Sequence, residues 1–412
     1  MARFVRYYLM PEVWATVTES QVFGWVRLAN DSGFTTHCLS ILDFRKYLRN
    51  RRIDKRKIAS QLGGRFRQIP IIANASIAID IQVFVVLLMI WLKEFLVVDK
   101  LVFQSRMSAI SYALSWIRRF PKVRVIFDSR GADVEELRYI EGGRDSWRAK
   151  VRLYLTLLHE QKAVRSADRV FVVSEQLLEY HLRKGKDLSK HKIVVVPGAA
   201  DRNSFFFEQS LRDRCRRDLT LQDEIVLVYS GGLAQKWAVP DKLFELLQAV
   251  RSHIDNVILL VLTPDVDIGT SLRKKYGLSE KEALVTRARY QDVNKYLNAG
   301  DIGLLLREND PTNTNASPTK FSEYLLCGLP VIISSSVTDF AAFVRQQQVG
   351  YVLESFDELA SKGSGRMKAL VEFISSQGKL SSADRTAIMQ KGASRLSKQI
   401  FLPKIFDVFN TI

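Results

Sequence analysis

Ser317-Pro318-Thr319-Lys320-Phe321-Ser322-Glu323-Tyr324-Leu325-Leu326-Cys327-Gly328-Leu329-Pro330-Val331-Ile332-Ile333 is the stretch that decides the reading of this chain. It reads as loop, helix, tight turn and buried strand in quick succession. Ser317 is placed to cap the helix, and Pro318 suits its first turn, where a missing N–H costs nothing. Gly328 ends the helix, Pro330 prevents its return, and Val331 to Ile333 opens an apolar strand. The free N–H groups around Thr319 and the charge of Lys320 suit an anion. Glu323, one turn further on, suits two neighbouring hydroxyls. Diphosphate at the helix end and ribose on the carboxylate would make a nucleotide site.

Outward from this stretch, short apolar runs recur between amphipathic segments. The clearest are Val123–Phe127, Val170–Val173, Ile193–Val196, Ile225–Tyr229, Val257–Leu262, Ile302–Leu306 and Val331–Ile333. Val and Ile dominate without polar alternation, as expected of parallel strands covered on both faces. Strands alternating with helix-length segments predict βαβ units and doubly wound α/β sheets. A boundary is expected after Val196, where Pro197-Gly198-Ala199-Ala200-Asp201 breaks the pattern and a polar, charged stretch follows. Ile77 to Leu92 is apolar but carries Asp80 and Gln82 and is shorter than the ~20 residues of a membrane span. It is expected to be a buried helix.

A chain of 412 residues exceeds one ordinary core and predicts two domains. Cys38, Cys215 and Cys327 have no paired spacing, which argues against a disulfide framework or zinc site and for a reducing, cytoplasmic compartment. Charge is uneven. Residues 1–200 hold 34 Lys and Arg against 19 Asp and Glu, whereas residues 201–412 hold 27 against 25. The basic half is the one to meet a polyanion or an anionic membrane surface. Its densest cluster is Arg45, Lys46, Arg49, Arg51, Arg52, Lys55, Arg56 and Lys57, with Arg65 and Arg67 beyond. A solvated helix face is the plainer reading of that cluster. Nucleic acid is disfavoured because no zinc-finger spacing or aromatic RNP pattern accompanies the charge. The N-terminus shows no signal-peptide pattern.

The Ser317–Ile333 string resembles the donor-nucleotide motif of the family-4 ("group 1") retaining glycosyltransferases, which have the GT-B fold. The resemblance runs in consistent order from about Phe171 to Leu353. It implies two doubly wound Rossmann-like domains facing a cleft: an acceptor-binding domain over residues 1–198, a nucleotide-sugar domain over 199–384, and a helical segment, 385–412, returning to the first. It implies a metal-independent enzyme without cofactor, moving a sugar from a nucleotide diphosphate, UDP-sugar foremost, to a lipid-linked or glycan acceptor in cell-surface glycan synthesis. Such a protein would work in the cytoplasm, peripherally on the inner membrane face.

Individual residues follow from the same resemblance. Ser317, Thr319, Lys320 and Glu323 match donor-binding positions, Glu323 the ribose carboxylate. Gly231 and Gly232 follow a buried strand and let backbone come close to a ligand. Lys236 beyond them matches the cation that neutralises the diphosphate, and the family's arginine slot there is Gly232. Asn315 stands where the family has a second Glu, so an amide would meet the donor sugar. Asp128 and Arg130, closing a strand where ligands gather in doubly wound sheets, match a segment facing the cleft; a pair fixing the turn is the structural alternative. The His many relatives carry nearby is missing. Glu19, Ser20 and Gln21 follow the opening strand and are expected on the acceptor side. Asp265-Val-Asp267 has the Asp-x-Asp form of metal-dependent transferases but follows a strand of the second domain and is set aside. The histidines lack metal-ligand spacing, and neither a Walker A nor a Gly-x-Gly-x-x-Gly motif occurs. A GT-B scaffold that binds nucleotide sugar or polyanion without turnover stays open as the alternative.

Overall fold

Two parallel sheets carry the chain. The computed structural model describes residues 3–11, 18–50, 55–72, 76–142, 146–185, 189–360 and 364–412, apart from the side chains of 55–57 and 76. Arg51, Arg52 and the side chains of Lys55, Arg56 and Lys57 lie outside the described residues. Of the remaining basic cluster, Arg45, Lys46 and Arg49 are exposed on the helix Phe44–Arg49, and Arg67 is exposed on the third strand.

The chain divides into two compact units, Met1–Val196 with Leu402–Ile412, and Pro197–Phe401. In the first, β1 (Phe4–Met10), β2 (Thr35–Asp43), β3 (Phe66–Ile71), β4 (Lys100–Ser105), β5 (Val123–Ser129), β6 (Arg169–Val172) and β7 (Ile193–Val195) form a sheet of order β3-β2-β1-β4-β5-β6-β7. In the second, β8 (Ile225–Ser230), β9 (Val257–Leu262), β10 (Ala283–Thr286), β11 (Ile302–Leu305), β12 (Val331–Ser334) and β13 (Gly350–Leu353) take the order β10-β9-β8-β11-β12-β13. All pairings within both sheets are parallel. The order reverses between β1 and β4 in one sheet and between β8 and β11 in the other. A crevice opens at such a reversal, beyond the carboxyl ends of the strands.

The tail behaves differently from expectation. The helix Ser382–Leu396 stays with the second unit, where Leu396 joins the core around Phe321, Tyr324 and Leu325. Only Leu402 onward belongs to the first unit. There Phe406 stacks on Phe34 at 4.5 Å between centroids, and Phe409, fully buried, stacks on Phe4 at 5.5 Å.

An ion cluster explains why that helix stays. Asp301, just before β11, is 1% exposed and accepts from Arg212 at 2.6 Å, Arg385 at 2.6 Å and the Val226 N–H at 2.8 Å, with Arg216 at 3.4 Å. Arg385 comes from the helix Ser382–Leu396 and Arg212 and Arg216 from the helix Gln209–Asp218. The polar stretch after the boundary is thus a packed helix with Arg212 and Arg216 turned inward and Arg214 and Arg217 exposed. Burial lowers the Arg385 pKa to about 10, a measure of the desolvation that Asp301 offsets.

The helix Ser76–Glu94 is half-buried. Val83 and Leu87 enter the core of the first unit, whereas Ile77, Ile81, Val85, Met89 and Leu92 face outward. The expected buried helix is corrected accordingly: its apolar residues continue around to a face that is exposed among the described residues.

Removing one partner of a buried ion cluster typically costs ~3–5 kcal/mol, because the other charges stay desolvated. Asp301→Ala, leaving three arginines facing one another, should lower unfolding stability by about that amount in denaturant titration. A loss below ~1 kcal/mol would mean the cluster is not load-sharing.

Candidate nucleotide site

In the second unit the glycine turn and the Lys320 helix meet at the reversal between β8 and β11. Gly231 leaves β8 with φ of 143°, a backbone that side chains rarely adopt, and its N–H donates to Leu262 O at 2.9 Å. Asp265 Oδ2 accepts from the N–H groups of Leu233 at 2.7 Å and Ala234 at 3.0 Å. Asp265 is therefore an anchor for the turn. Among the described residues no group of three or more His, Cys, Asp or Glu has the arrangement of a metal site.

Lys320 reaches this turn from the helix Lys320–Leu326. Its Nζ lies 4.1 Å from the ring centroid of Tyr229, and a Cβ on Gly231 would stand 2.7 Å from the same nitrogen. Burial, then the nearby Arg307 charge, holds the Lys320 pKa well below the ordinary lysine range, against the pull of Glu323. Tyr324 ties the neighbourhood together: its hydroxyl accepts from Ser230 N at 2.9 Å and donates to Leu304 O at 3.3 Å. Glu323 is 7% exposed on the same helix.

Ser317 does not cap that helix. The helix starts later, with Thr319 at the cap position and in helical conformation, and the Ser317 hydroxyl accepts instead from Gly198 N–H at 2.9 Å. Gly198 O in turn accepts from Ser322 Oγ at 2.6 Å. A Cβ on Gly198 would fall 2.1 Å from Ser317 O, so only glycine permits this close docking. Thr319 is buried in the turn.

Two expectations shift in detail. Lys236 is exposed in the short turn Lys236–Ala238, following Gly232, while the second cation beside Lys320 is Arg307. Arg307 Nη1 donates to Trp237 O at 3.0 Å, with the guanidinium 6.0 Å from that indole ring centre. No motif marked Arg307, yet it lies two residues beyond β11, where strand ends meet ligands. That position was the signal available in the sequence. Asn315 is buried, and its Nδ2 donates to Pro311 O at 2.8 Å.

In the first unit Asp128 and Arg130 pair with each other, Arg130 Nε lying 2.9 Å from Asp128 Oδ1. Tyr8 also donates to Asp128, and Gln104 lies at 3.4 Å. Burial alone would lower the Arg130 pKa, but Asp128 and Tyr8 more than offset it, so the guanidinium stays charged. This pair lines a small cavity of about 30 Å³ with Arg6, Tyr8, Trp25 and Phe406. Glu19, in the helical turn Glu19–Phe23, pairs at 2.6 Å with Arg27 of the following helix Gly24–Asp31, Ser20 is buried beside it, and Gln21 Oε1 accepts from Arg106 at 3.0 Å. Glu136 escaped the sequence reading. It sits where a Cβ on Gly131 would stand 1.9 Å from its Oε1, and burial, with Asp133 nearby, pushes its carboxyl up to about 7.

Residues 291–368 match the family model described as glucosyltransferase 3-like, C-terminal domain, a span that holds Arg307, Asn315, Lys320 and Glu323. No curated protein matches the sequence. Solved structures similar over 99% of this chain include a sucrose-phosphate synthase from Thermosynechococcus elongatus, at 15% identity, TM-score 0.65 and 98% of that chain. HepE of Anabaena in complex with UDP is similar at 11% identity, TM-score 0.69 and 100% of that chain; it has also been solved with UDP-glucose. WaaG, a glycosyltransferase involved in lipopolysaccharide biosynthesis, is similar at 13% identity, TM-score 0.65 and 100% of that chain.

An anion beside Lys320 would restore its charge, so binding should take up protons between the depressed Lys320 pKa and the ordinary lysine value near ~10.4. Calorimetry of pyrophosphate binding at alkaline pH, in buffers of different ionisation enthalpy, should give buffer-dependent heats that Lys320→Met abolishes. Buffer-independent heats in the unmodified protein would contradict this. At the identities found, likeness speaks for architecture, and the chain has the GT-B fold.

Proposed function

We propose that this protein is a glycosyltransferase that moves a sugar from a nucleotide diphosphate donor to an acceptor hydroxyl. The observation that carries the reading is the convergence of Lys320, Arg307 and the Gly231 turn, with Glu323 on the same short helix as Lys320. Negative charge on the departing diphosphate is the main demand of such a transfer. Two preorganised cations in a partly dry site answer it, and Lys236 on the adjoining turn adds a third near the mouth. These cations fill the part a metal ion would otherwise take, which supports metal-independent transfer. Glu323 holds the ribose hydroxyls, and Asn315 presents an amide near the donor sugar.

UDP-sugar is the favoured donor, in line with the UDP and UDP-glucose complexes of HepE. Retention of anomeric configuration rests on the family resemblance. A lipid-linked or polysaccharide acceptor in cell-surface glycan synthesis suits the basic first unit, which would meet an anionic membrane surface from the cytoplasmic side. The three buried, unpaired cysteines accord with a reducing compartment. Asp128 and Arg130 shape the acceptor pocket as a fixed pair, with Glu19, Ser20 and Gln21 nearby in the first unit. The scaffold reading draws on one observation: the Asn315 amide is engaged by Pro311 O and carries no negative charge for an oxocarbenium-like transition state.

Transfer or hydrolysis of UDP-sugars should be measured for the unmodified protein, Lys320→Met and Glu323→Ala. Lys320→Met should lower kcat by ~10²–10³, the usual loss for one preorganised contact to developing charge. Glu323→Ala should abolish measurable transfer. Tight UDP binding with no turnover on any sugar would establish the scaffold reading instead.

A further inference from the structure

We infer that the first unit rests in an anionic lipid surface through one helical layer, formed by the helices Ser76–Glu94 and Trp147–Ser166. This deepens the proposed membrane contact and rests on it, but assigns it to a different surface from the basic cluster at Arg45–Arg67. Ile77, Ile81, Val85, Met89 and Leu92 recur every three or four residues on the first helix and are 48–71% exposed. Spacing of this kind puts them in one stripe. Leu96, 89% exposed, extends it. On the second helix Trp147, Val151, Tyr154 and Leu155 are exposed at the same spacing, Trp147 at 71%. Both helices pack on the helix Ser111–Ile117, so the two stripes belong to one layer. In the second unit, by contrast, the exposed large apolar side chains are Ile268 and Ile400 among the described residues.

Charge selects the occupant. Among the described residues, neither helix has a carboxylate on its outward face: Asp80, Glu94 and Glu160 are all buried. Lys93, Arg148, Lys150 and Arg152 are exposed at the edges, Arg152 paired with Glu141 of the neighbouring helix. Apolar side chains with Trp and Tyr at a cationic rim are what an interfacial helix presents to anionic headgroups. No helix among the described residues is long and apolar enough to cross a membrane, so the layer lies in the interface plane. An exposed apolar patch of this extent is unusual for a surface that meets only water.

The test uses the full chain with vesicles of phosphatidylcholine alone or mixed with phosphatidylglycerol. Five proteins are compared: unmodified, Ile81→Gln with Met89→Gln, Arg148→Gln with Lys150→Gln, Arg45→Gln with Arg49→Gln, and Trp147→Phe. The mixed vesicles should bind the unmodified protein. The apolar double variant should lose about tenfold or more in affinity while keeping its UDP binding. Vesicles should also blue-shift a Trp emission component that is absent from Trp147→Phe. Equal binding by the apolar variant, with loss in Arg45→Gln/Arg49→Gln, would overturn this assignment and leave membrane contact standing through the basic cluster. No binding to mixed vesicles would overturn both. Should the apolar variant turn an oligomer into a monomer with vesicle binding unchanged, a second copy covers the layer and the inference fails. UDP binding is read in parallel, so failure of the transferase reading is seen separately from failure of this one.

Discussion

The second unit is organised around one unfavourable juxtaposition: the Lys320 ammonium held close to Arg307, over the Tyr229 ring and against the Gly231 backbone. Burial and like charge both work against ionisation of Lys320, and its depressed pKa records that cost. A protein free to optimise stability alone would separate these groups. A multiply charged anion would reverse this balance, because its charge favours the protonated lysine. Everything nearby serves to keep the groups where they are.

Three devices do so. Asp265 clamps the Gly231–Ala234 turn through two N–H groups. Tyr324 joins the end of β8 to β11 and sits beside Glu323 on the same helix, so the strand ends and the Glu323 carboxylate are tied to one another. Gly198 admits Ser317 at a distance no other residue allows, fixing the turn that leads into Lys320. Beneath them Asp301 gathers three arginines from two helices and locks the helix Ser382–Leu396 against the helix that carries Lys320. Stability and function are thus separated by layer, with a satisfied ion cluster below and an anion-demanding one at the strand ends.

Much of this was legible in the residues. Buried parallel strands announced themselves as unbroken Val and Ile runs, and both reversals in strand order follow from that architecture. Gly231, Lys320 and Glu323 were singled out by the glycine turn and the Ser317–Ile333 motif, and the structure brings Lys320 to the Gly231 turn. The strands β2, β3, β4, β10 and β13 were not among the runs picked out: Thr, His, Ser, Lys and Gln break the apolar runs of β2 and β4, while β3, β10 and β13 lie at sheet edges, with Pro70 interrupting β3. Arg307 was missed because one arginine after a strand carries no local pattern; only the fold brings it to Lys320. The cap at Ser317 was misassigned because a distant glycine, Gly198, outcompetes the helix for that hydroxyl. Ile77–Leu92 read as buried because periodicity cannot distinguish a helix enclosed by protein from one facing something else.

The central claim is that Lys320 and its neighbours form a nucleoside diphosphate site, and equilibrium binding of UDP tests it most directly. Thermal stability would be followed with increasing UDP, with and without a chelator, in the unmodified protein and in Lys320→Met. At 100 times its dissociation constant UDP should stabilise the fold by roughly 2.7 kcal/mol. The account predicts a shift indifferent to the chelator and largely lost in Lys320→Met. No shift with UDP, GDP or ADP, or an equal shift in Lys320→Met, would contradict it.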